Sequence, residues 1–319
     1  MILANFSPLP GEHPYSWLSR QYCLTGYPSP SSFLQHLGIS CTDLMAQAVF
    51  EKGIIGVFSD TKVPLLSKEF LWSNTAFPLW LLSEPDLNVC KTVGGLQTSN
   101  LDEFQHMNER LILAFSQNWH ACSKCIIQDT KKFGIPYWHN KHQLPSVVTC
   151  YIHNQILIKP EDNFKNLKSL ILPTAIETWV PIIENPDTAI LAWSDACIRF
   201  FEKLVENKQL AQKLRYKIDQ LTNVNSRYRT KKIEWCTKNT QLFEQALGRP
   251  LLNHLFNEYS LYSYGRNPQI LATVLAPLHE SSLVRNPIYW IAIAYWLKDK
   301  LPKVRAVFDH DSNCQLSTI

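Results

Sequence analysis

The sequence has no apolar run long enough to cross a bilayer. Its longest, from Ile288 to Leu297, falls well short of the ~20 residues that a spanning helix needs, so no membrane partner is expected. No signal peptide is expected either, because MILANFSPLPGEHPY breaks at prolines before an apolar signal-peptide core can develop. Charge of one sign is scarce. The formal net charge is +4 over 319 residues, which does not demand a nucleic-acid partner but allows one wherever the positive charge is clustered. Catalytic patterns are lacking too. No Gly-rich phosphate loop, no nucleophile beside a base and no carboxylate pair at catalytic spacing can be found, so the chain does not read as an enzyme and no catalytic residue is assigned.

What is present is enough apolar residue to fold. With 45% hydrophobic and 18% charged residues the chain is not disordered, and its length suits one large or two modest domains. Of the nine cysteines, an odd number, most lie singly: Cys23, Cys41, Cys90, Cys197, Cys236 and Cys314. That pattern fits a reducing cytoplasm better than a disulfide framework.

The remaining three cysteines fall in the stretch from Trp119 to Ile158. Cys122 and Cys125 form a C-x2-C, and after 24 residues Cys150 and His153 form a C-x2-H. Two ligand pairs, each on a short turn, are what a tetrahedral Zn²⁺ held by three thiolates and one imidazole requires. All four ligands would come from protein. With no position left open for water or substrate, one structural zinc ion is expected and metal catalysis is not. The plainer alternative is a set of buried free thiols with a surface histidine.

These residues resemble a known family. Trp119-x2-Cys122-x2-Cys125-x3-Asp129-x4-Gly134-x2-Tyr137-Trp138-x3-His142-Gln143-Leu144-Pro145-x4-Cys150-x2-His153 is similar to the zinc-binding signature of the TniQ/TnsD family, the target selectors of transposons that use an AAA+ ATPase regulator. Ser123 stands where that family commonly has proline, and both ligands are kept. Near the start, Pro8, Pro10, Glu12, Ser16-Trp17-Leu18 and Arg20 resemble the opening motif of the TniQ domain. Thr75-Ala-Phe77-Pro78-Leu79-Trp80 resembles the TnsD branch.

Along the chain, Pro14 suits the first turn of a helix that turns Trp17, Leu18 and Tyr22 inward and stops at Gly26. Ser29-Pro30 starts a second, with Phe33, Leu34 and Leu37 on one face and a stop at Gly38. Such a pair is of helix-turn-helix type, although most helical hairpins are simply cores. Glu12 would favour the positive end of the first helix, and Arg20 is a candidate DNA contact or a locally paired charge. Further helices are expected over 43–51, 64–74 and 101–107, with a strand at 111–115. Asn74 to Trp80 reads as an apolar loop pinned by Pro78. Asp129 to Gly134 reads as a turn presenting Lys131 and Lys132.

Around Tyr137 to His142, aromatic and basic groups interleave, so Lys131, Lys132 and Lys141 are candidate phosphate contacts or simply solubilising charges, while Trp138 reads as packing. The His139-Asn140-x-His142 run does not make a nuclease, since such a site must converge from two sides on one phosphate. After 160–186, a stretch without periodicity, long helices follow. One carries Ile190, Leu191, Trp193, Ile198, Phe200 and Leu204 on a stripe. The next, 210–221, turns Leu210, Leu214, Ile218 and Leu221 inward, and a third holds Ile233, Trp235, Leu242, Phe243 and Leu247 and ends at Gly248. Between them Arg227, Arg229, Lys231 and Lys232 form the densest basic cluster, either a phosphate site beside a helix start or a solvated charge run.

The fold expected is mainly α: helix-turn-helix-type N-terminal helices, a small zinc module with short strands, and a C-terminal helical bundle. The divisions expected are 1–118, the zinc module 119–159, a connector 160–186 and a helical domain 187–319. The resemblance implies target-site selection in DNA transposition by a cytoplasmic, nucleoid-associated prokaryotic protein. Its partners would be double-stranded DNA and the AAA+ transposition ATPase, with a homodimer also considered. An adaptor role on a CRISPR RNA-guided effector complex is the alternative. Length favours the adaptor, and the Phe77-Pro78 segment and single zinc module favour direct reading of DNA, which is preferred. A zinc-stabilised transcription regulator or protein-interaction module is the reading from another class.

Overall fold

Pro14 fixes the first turn of helix α1 (Pro14–Thr25), and the imidazole of His13 caps it, its Nδ1 accepting from the Tyr15 amide at 3.2 Å. Gly26 closes the helix at φ 69°, where a side chain would be strained. Ser29 caps α2 (Pro30–His36) by accepting from the Ser32 amide. This helix stops with Leu37 as its cap, one residue before the expected Gly38. In the computed structural model the described residues are 7–37, 68–82, 113–116, 118–162, 170–222, 229–256, 287–302, 305 and 308. The expected helices over 43–51 and 101–107 lie outside them.

The structure is mainly helical, and the chain divides into two compact units. Among the described residues the first holds 7–37, 68–77, 116, 118–162 and 170–186. It contains α1, α2, α3 (Lys68–Asn74), α5 (Ser123–Phe133), a 3₁₀ turn at Asn140–Gln143, and the antiparallel strands β1 (Ile158–Pro160) and β2 (Trp179–Pro181), paired with Ile158 opposite Pro181. The short α4 (Phe77–Trp80) lies at the changeover between the units. Instead of the expected loop there is this single turn, and the Phe77 amide donates to Thr75 Oγ1 at its start.

The core of the first unit is aromatic. Trp119 lies against Tyr15 at 4.6 Å between ring centroids, against Trp138 at 5.3 Å and edge-on to His13 at 5.0 Å. Trp17, Leu18, Phe33, Leu34, Leu170 and Ile176 complete it. Residues 170–181 therefore do more than connect: Leu170 and Ile176 are buried in this core, and the Ile171 carbonyl accepts from Trp138 Nε1 at 2.8 Å. Composition could not show this, because the segment is held by irregular backbone without periodicity.

The second unit comprises 78–82, 113–115 and the chain from 187 onward. Asp187 caps α6 (Thr188–Glu206), and α7 (Leu210–Thr222), α8 (Arg229–Leu247), α9 (Arg249–Leu255) and α10 (Ile288–Trp296) follow. α10 is apolar on every side and buried from Ile288 to Ala294, as befits a helix enclosed by others. It packs against α7 and α8, while α9 packs against α6 and α8. Two inward assignments are corrected. Leu221 and Leu242 are exposed, because α7 buries the Ala211, Leu214, Ile218 and Thr222 line, and α8 buries Phe243 and Leu247. At 111–115 the described part is an isolated bridge from Leu113 to Phe256 and not a strand.

Candidate metal centre

Two local structures bring the four ligands together. Cys122 is the N-cap of α5 and Cys125 lies in its first turn, where the helix dipole favours a thiolate. Cys150 opens a tight turn. Its amide donates to the Gln155 carbonyl at 2.8 Å, its carbonyl accepts from the Asn154 amide at 2.9 Å, and Asn154 takes φ 50°, which asparagine tolerates. The two pieces are joined by backbone. Ala121 and Ile158 exchange both hydrogen bonds, at 2.9 and 2.8 Å, so the residue before the first cysteine pair is fixed beside the strand that leaves the second.

The resulting separations fit one ion. His153 Nδ1 lies 3.5 Å from Cys122 Sγ, 3.4 Å from Cys125 Sγ and 3.6 Å from Cys150 Sγ, and Cys125 and Cys150 are 3.6 Å apart through their sulfurs. All four ligand atoms lie within 4.8 Å of one another. A tetrahedron with zinc–sulfur bonds of about 2.3 Å and zinc–nitrogen bonds of about 2.0 Å has edges of about 3.8 Å between sulfurs and about 3.5 Å between sulfur and nitrogen. Four of the six edges lie close to those figures, and the two from Cys122 Sγ to the other sulfurs are no longer than 4.8 Å. Cys122, Cys125 and Cys150 are buried and His153 half-buried, and together they could hold a metal ion.

Electrostatics point the same way. Hydrogen bonds from Cys125 and then Cys150 pull the Cys122 thiol far down, whereas the Cys125 thiol is driven up chiefly by Cys122 and Cys150, and Cys150 chiefly by Cys122, with burial adding to both. One thiolate can be held by its neighbours, but three in one buried place need a cation.

Around the ligands lies a second layer of polar side chains. His139 Nε2 is 2.8 Å from Asp129 Oδ2, and His139 Nδ1 is 3.1 Å from the Tyr151 hydroxyl. Gln143 clasps the backbone of His120, accepting from its amide at 3.0 Å and donating to its carbonyl at 2.8 Å. His120 Nδ1 lies 3.2 Å from the His142 carbonyl, to which it can only donate. Burial lowers His120 to about 4 and His142 well below its usual range, with His139 adding to the latter. Sequence reading missed this layer. Its signal was the run of His139, Asn140 and His142 ahead of the second ligand pair, which reads by sequence as an aromatic and basic mixture and as no nuclease.

The opening motif serves the same module. Glu12 is wholly buried and binds Arg20 through both carboxylate oxygens at 2.7 Å, and the Arg20 guanidinium also donates to the Ser7 carbonyl. The other Glu12 partner is the Leu9 amide at 2.9 Å. Arg20, a candidate DNA contact, is thus an interior cation. Its eight-residue spacing from Glu12 gives no helical cue to the pairing. Pro10 offers its carbonyl to the Tyr137 hydroxyl, Ser16 Oγ accepts from the Trp138 amide, and Glu12 and His139 form a backbone bridge. Gly11 takes φ 64°, where a side chain would be strained, and a Cβ there would press on the Tyr151 hydroxyl at 3.3 Å.

The remaining candidates are dispersed. Lys131 and Lys132 are exposed in the last turn of α5, which runs on to Phe133 where a turn was expected and is capped by Gly134. Lys132 Nζ lies 4.9 Å from the centroid of the Phe133 ring, and half-buried Lys141 stands over Tyr151 at 4.5 Å. Trp138 is buried as packing. Arg229, Lys231 and Lys232 fall within the first turn of α8, in the second unit, and Arg227 lies outside the described residues.

Residues 4–157 match the family model described as TniQ. The matched span takes in the opening motif, α5 and all four Cys/His ligands. No curated protein matches the chain.

Proposed function

The chain belongs to the TniQ family, and from that premise we propose that it selects target sites in DNA transposition by binding target DNA and recruiting an AAA+ ATPase regulator, which brings the transposase. The observation that carries this reading is the family match over residues 4–157, a domain associated with transposon target-site selection. In this reading Cys122, Cys125, Cys150 and His153 hold one zinc ion. Its role is structural: four protein ligands close the coordination sphere, and the ion clamps α5 to the turn that starts at Cys150. No chemical step falls to this chain.

Phosphate contacts are assigned to Lys131, Lys132 and Lys141 on the metal module and to Arg227, Arg229, Lys231 and Lys232 at the start of α8. What supports Lys131 and Lys132 is exposure in the last turn of α5. The second group has its described members in the first turn of a 19-residue helix, where backbone amides favour anions. Contacts of this kind position a protein and carry no sequence information.

The test is a titration of purified full-length protein with duplex DNA at three salt concentrations, alongside Arg229→Ala/Lys231→Ala. The double variant should weaken binding to all sequences alike and lower the slope of log K against log salt by roughly two. An unchanged slope with unchanged tight binding removes that cluster from the DNA interface. Wild-type protein with no measurable affinity for duplex DNA, but with retention on the ATPase, shifts the reading to an adaptor.

A further inference from the structure

Among the second layer of polar groups, one ring reaches a ligand sulfur directly. His142 Nε2 lies 3.4 Å from Cys150 Sγ, and the Ile152 amide donates to the same sulfur at 3.4 Å. The other nitrogen of His142, Nδ1, is buried with no hydrogen-bond partner among the described residues. Among the described residues the sulfur is therefore the one hydrogen-bond partner of the ring.

The ring is held there from several sides. It lies tilted against His139 at 4.9 Å between centroids, His139 being itself fixed by Asp129 and Tyr151, and it lies 5.6 Å from the Tyr151 ring. Its backbone is tied at both ends, the amide donating to the His139 carbonyl and the carbonyl accepting from His120. A ring so constrained cannot turn away from the sulfur without disturbing three neighbours.

Charge says what the contact is for. Three thiolates and a neutral imidazole around Zn²⁺ leave a net charge of minus one in a buried place, and a buried charge is costly unless hydrogen bonds compensate it. Donors to a ligand sulfur supply that compensation and orient the ligand. We infer that His142 is a positioning residue of the metal centre: its Nε2–H donates to the Cys150 thiolate, offsets the surplus negative charge and aims that sulfur at the ion. The inference rests on the zinc reading above and adds a fifth side chain to the four ligands.

The test compares the full-length wild type with His142→Phe, which keeps a ring and loses the donor, and His142→Gln, whose amide N–H can replace it. His142→Phe should bind zinc about tenfold or more weakly. In the cobalt-loaded protein its thiolate-to-metal charge-transfer band should move to lower energy, because a sulfur without its donor gives up charge more easily. His142→Gln should recover part of both effects. In wild type loaded with ¹¹³Cd, the proton on His142 Nε2 should couple to the metal across the sulfur, a readout that needs no variant to fold.

Unchanged affinity and band in His142→Phe overturn the inference, as does a proton found on Nδ1 instead. Loss of a nitrogen ligand from the cobalt spectrum of His142→Phe overturns it too, by making His142 a ligand. Wild-type protein that takes up none of the three metals ends the zinc reading itself, so the two failures are told apart.

Discussion

The two units solve the problem of a core in opposite ways. In the second, helices close on α10, a segment apolar on all sides, and among the described residues the only buried polar side chains are Ser194 and Thr222. In the first, every other buried polar or charged residue of the described chain is found, Glu12, His13, Arg20, His120, Asp129, His139, Asn140, His142 and Gln143 among them. Regular structure is thin there, and irregular backbone is held by specific polar pairings such as Glu12 with Arg20, His139 with Asp129 and Gln143 with the His120 backbone. A packed apolar core tolerates exchange of one hydrophobe for another of like volume. A polar interior does not, because each lost partner strands a buried group. The first unit should thus be specific and brittle, the second generic and forgiving.

Metal removal is the largest way to break that contrast. Binding of a structural zinc ion is folding free energy of about 10–16 kcal/mol in small zinc domains. Cys125→Ser should give metal-free protein in which the first unit's Trp119 and Trp138 lose their fixed surroundings, seen as a collapse of near-ultraviolet circular dichroism, with the helical signal reduced far less. Stoichiometric zinc in that variant, by elemental analysis, would remove Cys125 from the ligand set.

Next come two substitutions of similar expected cost and different consequence. Glu12→Gln leaves the buried Arg20 cation without its counter-charge, a loss of about 3–5 kcal/mol, and because Glu12 and His139 share a backbone bridge it should also speed zinc loss to a chelator. Phe243→Ala in the second unit empties a fully buried site at about 3–5 kcal/mol, and zinc retention should not change. Denaturant midpoints and chelator kinetics on both variants check this. Equal zinc loss in the two would show that the units are not held separately.

The same contrast explains what the sequence disclosed. The Cys/His cluster that could hold a metal ion was legible because a two-residue gap puts both side chains of a pair on one turn, and α1 because Pro14 and Gly26 mark its ends. Amphipathic stripes placed α6 and the buried Phe243 of α8. The second layer around the metal was not legible. Glu12 with Arg20, His139 with Asp129 and Ser16 with Trp138 pair across spacings that no period encodes, and the Asp129 stretch reads as a turn although it lies within α5. Helical periodicity reports packing, and this unit is assembled by partnerships.

The smallest expected effect is in pH, and it sharpens the comparison by adding a second way in which the first unit is brittle. Burial lowers His13 from its usual 6.5 to about 3 in the folded chain. Above pH 6.5 the ring is neutral in both folded and unfolded states and acidity has no leverage through it. Below 6.5 the unfolded chain takes up a proton that the folded one refuses, so stability falls as pH falls, by about 1.4 kcal/mol per unit, until the folded ring titrates near pH 3. His13→Asn isolates this term, because asparagine can still accept from the Tyr15 amide as an N-cap and does not titrate. Metal ligands also respond to acid, but they do so in both proteins, so the difference between them reports His13 alone. Between pH 7 and pH 5 the wild type should lose about 2 kcal/mol relative to the variant in urea unfolding. Parallel pH profiles would mean that His13 is protonated in the fold or reached by water, and that the interior around Trp119 is less closed than its ring contacts imply.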